Sequence, residues 1–170
     1  MRNIVLVGFM ATGKTTVGRL IAHKAGMGFI SIDELIEKKE GMPIKDIFSL
    51  KGEGYFRKAE RAAVAEASKA RASVIDAGGG VVIDELNVRD LKAGGIIFCL
   101  DATPEEILER AKGLTHRPLL NVSDPLSEII KIMEARAEYY ERADYHIDTG
   151  GRSAPEVAEA IIEIYVKSNG

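Results

Sequence analysis

The chain has 170 residues, 46% of them hydrophobic and 29% charged, with a net charge of -3. That length suits one domain with a sizeable core, and the mild acidity argues against a chain built to hold nucleic-acid backbones, which carries a net basic surface. Cys99 is the only cysteine, which excludes an intrachain disulfide and fits a reducing cytoplasm, and no apolar run reaches the roughly 20 residues of a membrane-spanning helix.

The first predicted strand is "NIVLV", from residue 3, an apolar run too short for a signal-peptide core. It leads into "GFMATGKTT", residues 8–16, which satisfies G-x-x-x-x-G-K-[ST] between a strand and a helix. Glycines let the backbone wrap a phosphate closely. The amides of Ala11, Thr12, Gly13, Lys14, Thr15 and Thr16 can point inward, at a helix N-terminus that carries partial positive charge. Lys14 can bridge the terminal phosphates and the Thr15 hydroxyl can ligate Mg²⁺. The loop is shared by hydrolases, switches and small-molecule kinases, so it leaves the acceptor open. The chain lacks an "NKxD"-like tetrapeptide for reading guanine, which favours ATP. The helix after the loop, over residues 15–24, is predicted to turn Val17, Leu20, Ile21 and Lys24 toward the sheet.

The second strand, "GFIS" from residue 28, runs into "IDELIEKKEG". Asp33 there stands at the carboxyl end of a parallel strand, where ligand crevices form. It can orient an attacking hydroxyl or cap the helix that follows. In "GEGYFRKAE", Arg57 and Glu60 share a helix face, either as a surface ion pair or with Arg57 turned to an anion. The third strand, "SVIDA" from residue 73, ends in Gly78, Gly79 and Gly80. Three glycines permit close approach of a ligand, and their amides can contact an anion.

The fourth strand is "GIIFCLD", from residue 95. "KGLTHRPLLNVS", residues 112–123, has the composition of a mobile lid, with Arg117 either closing over transferring phosphate or solvated. A helix from Asp124 or Pro125 to Arg142 has Ile129, Met133, Arg136 and Tyr140 on one stripe. A guanidinium on an apolar stripe needs a carboxylate or an anionic ligand. The fifth strand is "YHIDT", from residue 145, and a last helix begins near Pro155. Strands alternating with helical segments predict an α/β fold, a parallel sheet covered by helices on both faces.

Taken together, "GFMATGKTT", Asp33, "FRKAE", "GGG", "RPLL" and "RAEYY" closely resemble the shikimate kinase family, in the family's order from residue 4 to about residue 155. The resemblance implies a phosphate-loop kinase fold like that of nucleoside monophosphate kinases, three-layer α/β/α, with five parallel strands in the order 2-3-1-4-5. It implies ATP-dependent phosphorylation of the 3-hydroxyl of shikimate, in chorismate and aromatic amino-acid biosynthesis. Residues 1–170 would form a single kinase domain, with a substrate-binding helical segment over about 33–60 and a lid over about 112–124.

By the same resemblance, Asp33 would hold the shikimate hydroxyls and help activate the acceptor, while Arg57, Gly79 and Arg136 hold its carboxylate. Lys14, Asp33 and Arg117 would be catalytic, Arg117 reaching the nucleotide phosphates when the lid closes, and Arg110 and Arg152 would flank adenine. Many members carry an Asp-x-Asp pair after the second strand, where this chain has "SID" and Ser31 replaces the first carboxylate. Asp76, at the end of the third strand, is expected to take over the outer-shell anchoring of Mg²⁺ through water, beside Thr15. The expected partners are ATP and shikimate, with no nucleic acid and no membrane, for a cytoplasmic monomer. The alternatives are a related kinase acting on gluconate or a nucleoside monophosphate, and an ATP-binding regulatory module without turnover.

Overall fold

Five short strands, β1 (Asn3–Val7), β2 (Gly28–Ser31), β3 (Ser73–Asp76), β4 (Gly95–Asp101) and β5 (Tyr145–Asp148), form one parallel sheet in the order β2-β3-β1-β4-β5. The computed structural model describes residues 1–113 and 122–169. Every residue of β1 and β3 is buried, as are the first six of β4, and burial on both faces is why Ile4 to Val7 and Ile96 to Leu100 read as continuous apolar runs rather than alternating ones.

Parallel pairing requires crossovers, and the chain supplies helices for them. On one face Ile4, Leu6, Val74, Ile96, Phe98 and Leu100 pack against α1 (Lys14–Ala25) and α8 (Ala154–Asn169). On the other, Val5, Val7, Ile75, Ile97 and Cys99 pack against α2 (Ile32–Glu40), α3 (Ile44–Lys51), α4 (Glu53–Ala67), α5 (Glu85–Gly94) and the end of α7 (Pro125–Tyr140). Each fully buried Ile or Leu contributes about 1.5–3 kcal/mol to this core. A third cluster, of Phe9, Ile107 and Ile129, joins α6 (Pro104–Ala111) and α7 to the chain beyond β1.

The stripe of α1 differs from the predicted one. Its buried residues are Val17, Gly18, Ile21 and Ala22, and Lys24 turns outward to pair with Glu159 of α8 at 2.6 Å. Gly18 explains the rotation: a Cβ there would stand 2.9 Å from the Phe29 ring and 3.2 Å from Leu6, so the helix seats its barest face on the sheet. The predicted start of α7 agrees with the structure, where the Asp124 carboxylate accepts from the Ser127 amide at 3.2 Å and Pro125 takes the first position. The helix ends two residues short of the predicted Arg142, because the chain turns there to pass the Asp144 amide to the Ile97 carbonyl at 2.9 Å.

The predicted segment over 33–60 is made of α2, α3 and the first half of α4. Most of the predicted lid, with Arg117, lies outside the described residues. Among the described residues no helix is long and apolar enough to cross a membrane.

Candidate active site

The carboxyl ends of β1, β2 and β3 meet at a cavity of about 580 Å³. From β1 the chain enters the phosphate loop at Gly8, whose φ of 140° and close approach to the Leu100 carbonyl, 2.5 Å from where a Cβ would stand, admit only glycine. Ala11 also has positive φ, 59°, a strained conformation of the kind that persists where function fixes it. Buried Thr12 braces the loop by donating to the Phe9 carbonyl at 2.8 Å. Lys14 folds back across it, donating to the Gly8 and Phe9 carbonyls at 2.9 and 3.0 Å. The N-cap of α1 is Gly13, which has no side chain to offer as a cap, and the first residues of the helix, Lys14, Thr15 and Thr16, line the cavity. This is the arrangement that favours an anion.

Asp76 closes β3 and is only 6% exposed. One of its carboxylate oxygens accepts from the Thr15 hydroxyl at 2.5 Å and the other from the Gly78 amide at 3.4 Å. Because Thr15 donates its proton to Asp76, its oxygen lone pairs remain available to a cation. The sheet register pairs Ser31 with Asp76 across β2 and β3, so the residue in the family's acidic position is the lateral neighbour of the one expected to replace it. Ser31 itself caps α2, accepting from the Glu34 amide at 3.2 Å. The alternative of Asp33 as the cap is thereby corrected: Asp33 sits in the first turn of α2 and lines the cavity.

The glycine triplet organises the other half of the site. A Cβ added to Gly78 would stand 3.6 Å from Asp33 Oδ1, one on Gly79 3.5 Å from Arg136 Nη1, and one on Gly80 2.5 Å from Arg57 Nη1. Three consecutive residues thus lie under one carboxylate and two guanidinium groups, brought from α2, α7 and α4. A side chain on Gly80 would displace Arg57 outright.

Each guanidinium has its own support. Arg57 donates to Glu60 at 2.8 Å, one turn along α4. Arg136 lies over the Phe9 ring, 6.0 Å from its centre, a cation–π contact. Tyr140, one turn beyond, donates to the Gly79 carbonyl at 2.7 Å and so ties α7 to the triplet. Burial pushes the Tyr140 phenol up to about 12, with Arg136 opposing the shift, so it remains a donor at neutral pH. Glu60 is 4% exposed, and burial raises its carboxyl above the ordinary 4.5, with Arg57 pulling the other way.

On the far side of the phosphate loop, Arg110 and Arg152 both line a second hollow, of about 220 Å³, with Ala11, Thr12, Gly13 and Thr16. Arg110 is held by Thr149, donating to its hydroxyl at 3.0 Å and its carbonyl at 3.1 Å. Arg152 donates to the Asp148 and Glu156 carbonyls at 3.2 and 3.1 Å. The predicted residues of the described chain therefore gather around two adjoining hollows. Sequence reasoning misses Tyr140, Phe9 and Thr149 as supports, and reads Glu60 only as an ion-pair partner. Tyr140 has a visible signal, lying four residues after Arg136 on the same stripe, whereas Phe9 and Thr149 carry none.

A family model described as shikimate kinase matches residues 10–165. The chain is similar to the shikimate kinase of Thermodesulfovibrio yellowstonii, at 48% identity over 171 residues, covering 100% of this chain and 99% of that relative. It is similar also to the shikimate kinase of Caldanaerobacter subterraneus subsp. tengcongensis, at 46% identity with 100% and 99% covered. Among solved structures it is similar to shikimate kinase from Acinetobacter baumannii in complex with shikimate, at 36% identity and a TM-score of 0.92, covering 99% of this chain and 94% of that one.

The Glu60 shift gives a pH prediction. Because the folded state holds the Glu60 proton more tightly than the unfolded state, the contribution of Glu60 to stability is greatest below its ordinary value of 4.5 and declines as pH rises through the folded value. A glutamine at this position would not titrate. In urea denaturation, the stability of the native chain minus that of Glu60→Gln should fall as pH rises above 4.5. A difference that grows over that range would contradict the assignment.

Proposed function

The chain belongs to the shikimate kinase family, and on that premise we propose that it transfers the γ-phosphoryl group of ATP to the 3-hydroxyl of shikimate. The observation that carries the acceptor half is the glycine triplet, with Asp33 over Gly78, Arg136 over Gly79 and Arg57 over Gly80. Two guanidinium groups and one carboxylate beside a phosphate loop suit a small molecule with one acid group and several hydroxyls.

In this proposal Arg57 and Arg136 bind the acceptor's carboxylate, helped by the amide of Gly79, and so fix the ring. Gly78 admits the ring close to the backbone, and Gly80 makes room for the Arg57 guanidinium beside it. Asp33 orients the acceptor hydroxyl and takes its proton as the oxygen attacks the γ-phosphorus and the bond to ADP breaks. The amides of Ala11, Thr12, Gly13, Lys14, Thr15 and Thr16 cradle the phosphates, and Lys14 stabilises charge on the transferring group. Arg110 and Arg152 flank adenine over the second hollow. Glu60 and Tyr140 act by positioning Arg57 and the triplet.

The oxygens of Thr15 and Asp76 fit Mg²⁺ in chemistry: a hydroxyl oxygen for direct contact and, hydrogen-bonded to it, a carboxylate that can hold a metal-bound water. When bound, Mg²⁺ would neutralise charge on the β- and γ-phosphates. Ser31, whose hydroxyl is engaged at the cap of α2, brings no negative charge to this position, and Asp76 supplies it.

An ADP-release assay offering shikimate, quinate, gluconate and AMP in parallel tests the function. Rapid turnover is expected with shikimate alone; turnover with gluconate or AMP and none with shikimate would overturn the proposal, and ATP binding without turnover on any acceptor would make the chain a binding module. For the metal, Asp76→Asn should raise the Mg²⁺ concentration needed for half-maximal rate by about tenfold or more, the usual cost of losing an outer-shell partner. An unchanged Mg²⁺ dependence would remove Asp76 from this role.

A further inference from the structure

Beside the phosphate loop, on the β4–β5 edge of the sheet, lies a group that the proposed transfer does not use. Cys99 and His146 are directly paired across β4 and β5, and Asp101 follows Cys99 by two residues on the same face of β4. The strand period alone therefore brings a thiol, an imidazole and a carboxylate together. The Cys99 thiol donates to Asp101 Oδ1 at 3.3 Å, and His146 Nδ1 lies 2.8 Å from Asp101 Oδ2. One donor atom from each residue lies within 4.8 Å of the other two, and among the described residues this is the one group of three such side chains.

We propose that Cys99, Asp101 and His146 form a Zn²⁺ site. The donor set is sulfur, nitrogen and oxygen, which suits a borderline-soft ion and not Mg²⁺, whose sites are built of oxygen. Tetrahedral Zn²⁺ with bonds of about 2.0–2.3 Å keeps its donors about 3.3–3.8 Å apart. The observed separations come within small side-chain rotations of that arrangement. Asp101 and a Cys99 thiolate together match the charge of the ion.

Access and a fourth position are also provided. Cys99 is 1% exposed, but the His146 and Asp101 side chains reach solvent at 37% and 45%, so an ion can enter from their side. The three residues line a cavity of about 230 Å³ with Glu141 and Thr12, which has room for a bound water of about 30 Å³. Sulfur ligates as the thiolate, so binding exchanges the Cys99 proton for the metal: the S–H bond breaks, the S–Zn bond forms and the proton leaves to solvent.

The expected consequence is mechanical. Among the described residues β5 pairs with β4 alone, and the Thr149 that follows it holds Arg110. An ion joining Cys99 to His146 would pin that edge beside the phosphate loop and raise thermal stability.

The test uses Co²⁺ as a spectroscopic stand-in for Zn²⁺ on the chelator-treated full chain. Because Cys99 is the only cysteine, a thiolate-to-Co²⁺ charge-transfer band in the near ultraviolet reports this site and is blind to an ion at Thr15 and Asp76. The band should appear on titration, saturate at one ion per chain and vanish when Zn²⁺ is added in excess. Zn²⁺ should raise the melting temperature of the native chain. Cys99→Ser should lose the band. His146→Gln, an exposed change that leaves the core intact, should weaken Co²⁺ binding about tenfold or more, since losing a ligand costs at least what losing its outer-shell partner costs. Absence of the band in the native chain, or equal affinity in His146→Gln, would overturn the site and leave the three side chains as a hydrogen-bonded cluster.

Discussion

Like charges crowd this site, and most of its architecture answers that constraint. Lys14, Arg57, Arg110 and Arg136 all line the cavity at the ends of β1 and β3. At an effective dielectric near 20, two unit charges about 4 Å apart repel by about 4 kcal/mol. The cations are tolerable because acids are built in among them: Glu60 behind Arg57, Asp76 beside Thr15, and Asp33 in the first turn of α2. The balance suits a site that receives anions, since an incoming phosphate or carboxylate relieves repulsion that folding has already overcome. Glu60 is the clearest case. Its burial disfavours its own charge, and it is retained where it sets the direction of a guanidinium.

The sheet order turns this balance into geometry. With β1 between β3 and β4, the phosphate loop leaves the middle of the sheet, the glycine triplet leaves its immediate neighbour, and β2 delivers Asp33 one strand further out. The register then sets Ser31 against Asp76 and Leu6 against Asp76. Neighbouring parallel strands ending at one level open a crevice across their carboxyl ends, where ligands bind in folds of this type. Two helices on one face of the sheet complete it, α4 with Arg57 and α7 with Arg136. The triplet's lack of side chains lets both guanidinium groups come down onto the backbone.

Much of this is legible in the sequence because the relevant signals are contiguous. The phosphate loop is one unbroken motif, β1 and β4 are near-continuous apolar runs, and Asp124-Pro125 announces α7 as a cap followed by a first-turn proline. Arg136 is legible from its place on an apolar stripe. Other features depend on tertiary approach, which no local pattern encodes. The inward face of α1 includes Gly18 instead of Lys24, because helix-to-sheet distance and not hydrophobicity decides the rotation. Asp33 reads equally as ligand or cap, and only the structure shows Ser31 filling the cap. Glu60 reads as a surface partner of Arg57, and its burial comes from packing among α2, α3 and α4. The neighbourhood of Cys99 and His146 follows from the β4–β5 register, which sequence spacing alone does not give.

The proposed function divides two adjoining hollows between two substrates with separate sets of charges, and Arg136 is the residue that separates them most cleanly. It lies over Gly79 and the Phe9 ring, on the side proposed for the acceptor. Steady-state kinetics of Arg136→Ala with each substrate varied in turn measures the division directly. KM for shikimate should rise roughly 10- to 100-fold, the value of a charged hydrogen bond of about 1.5–3 kcal/mol, while KM for ATP should change by less than about twofold. Equal rises in both constants would contradict it.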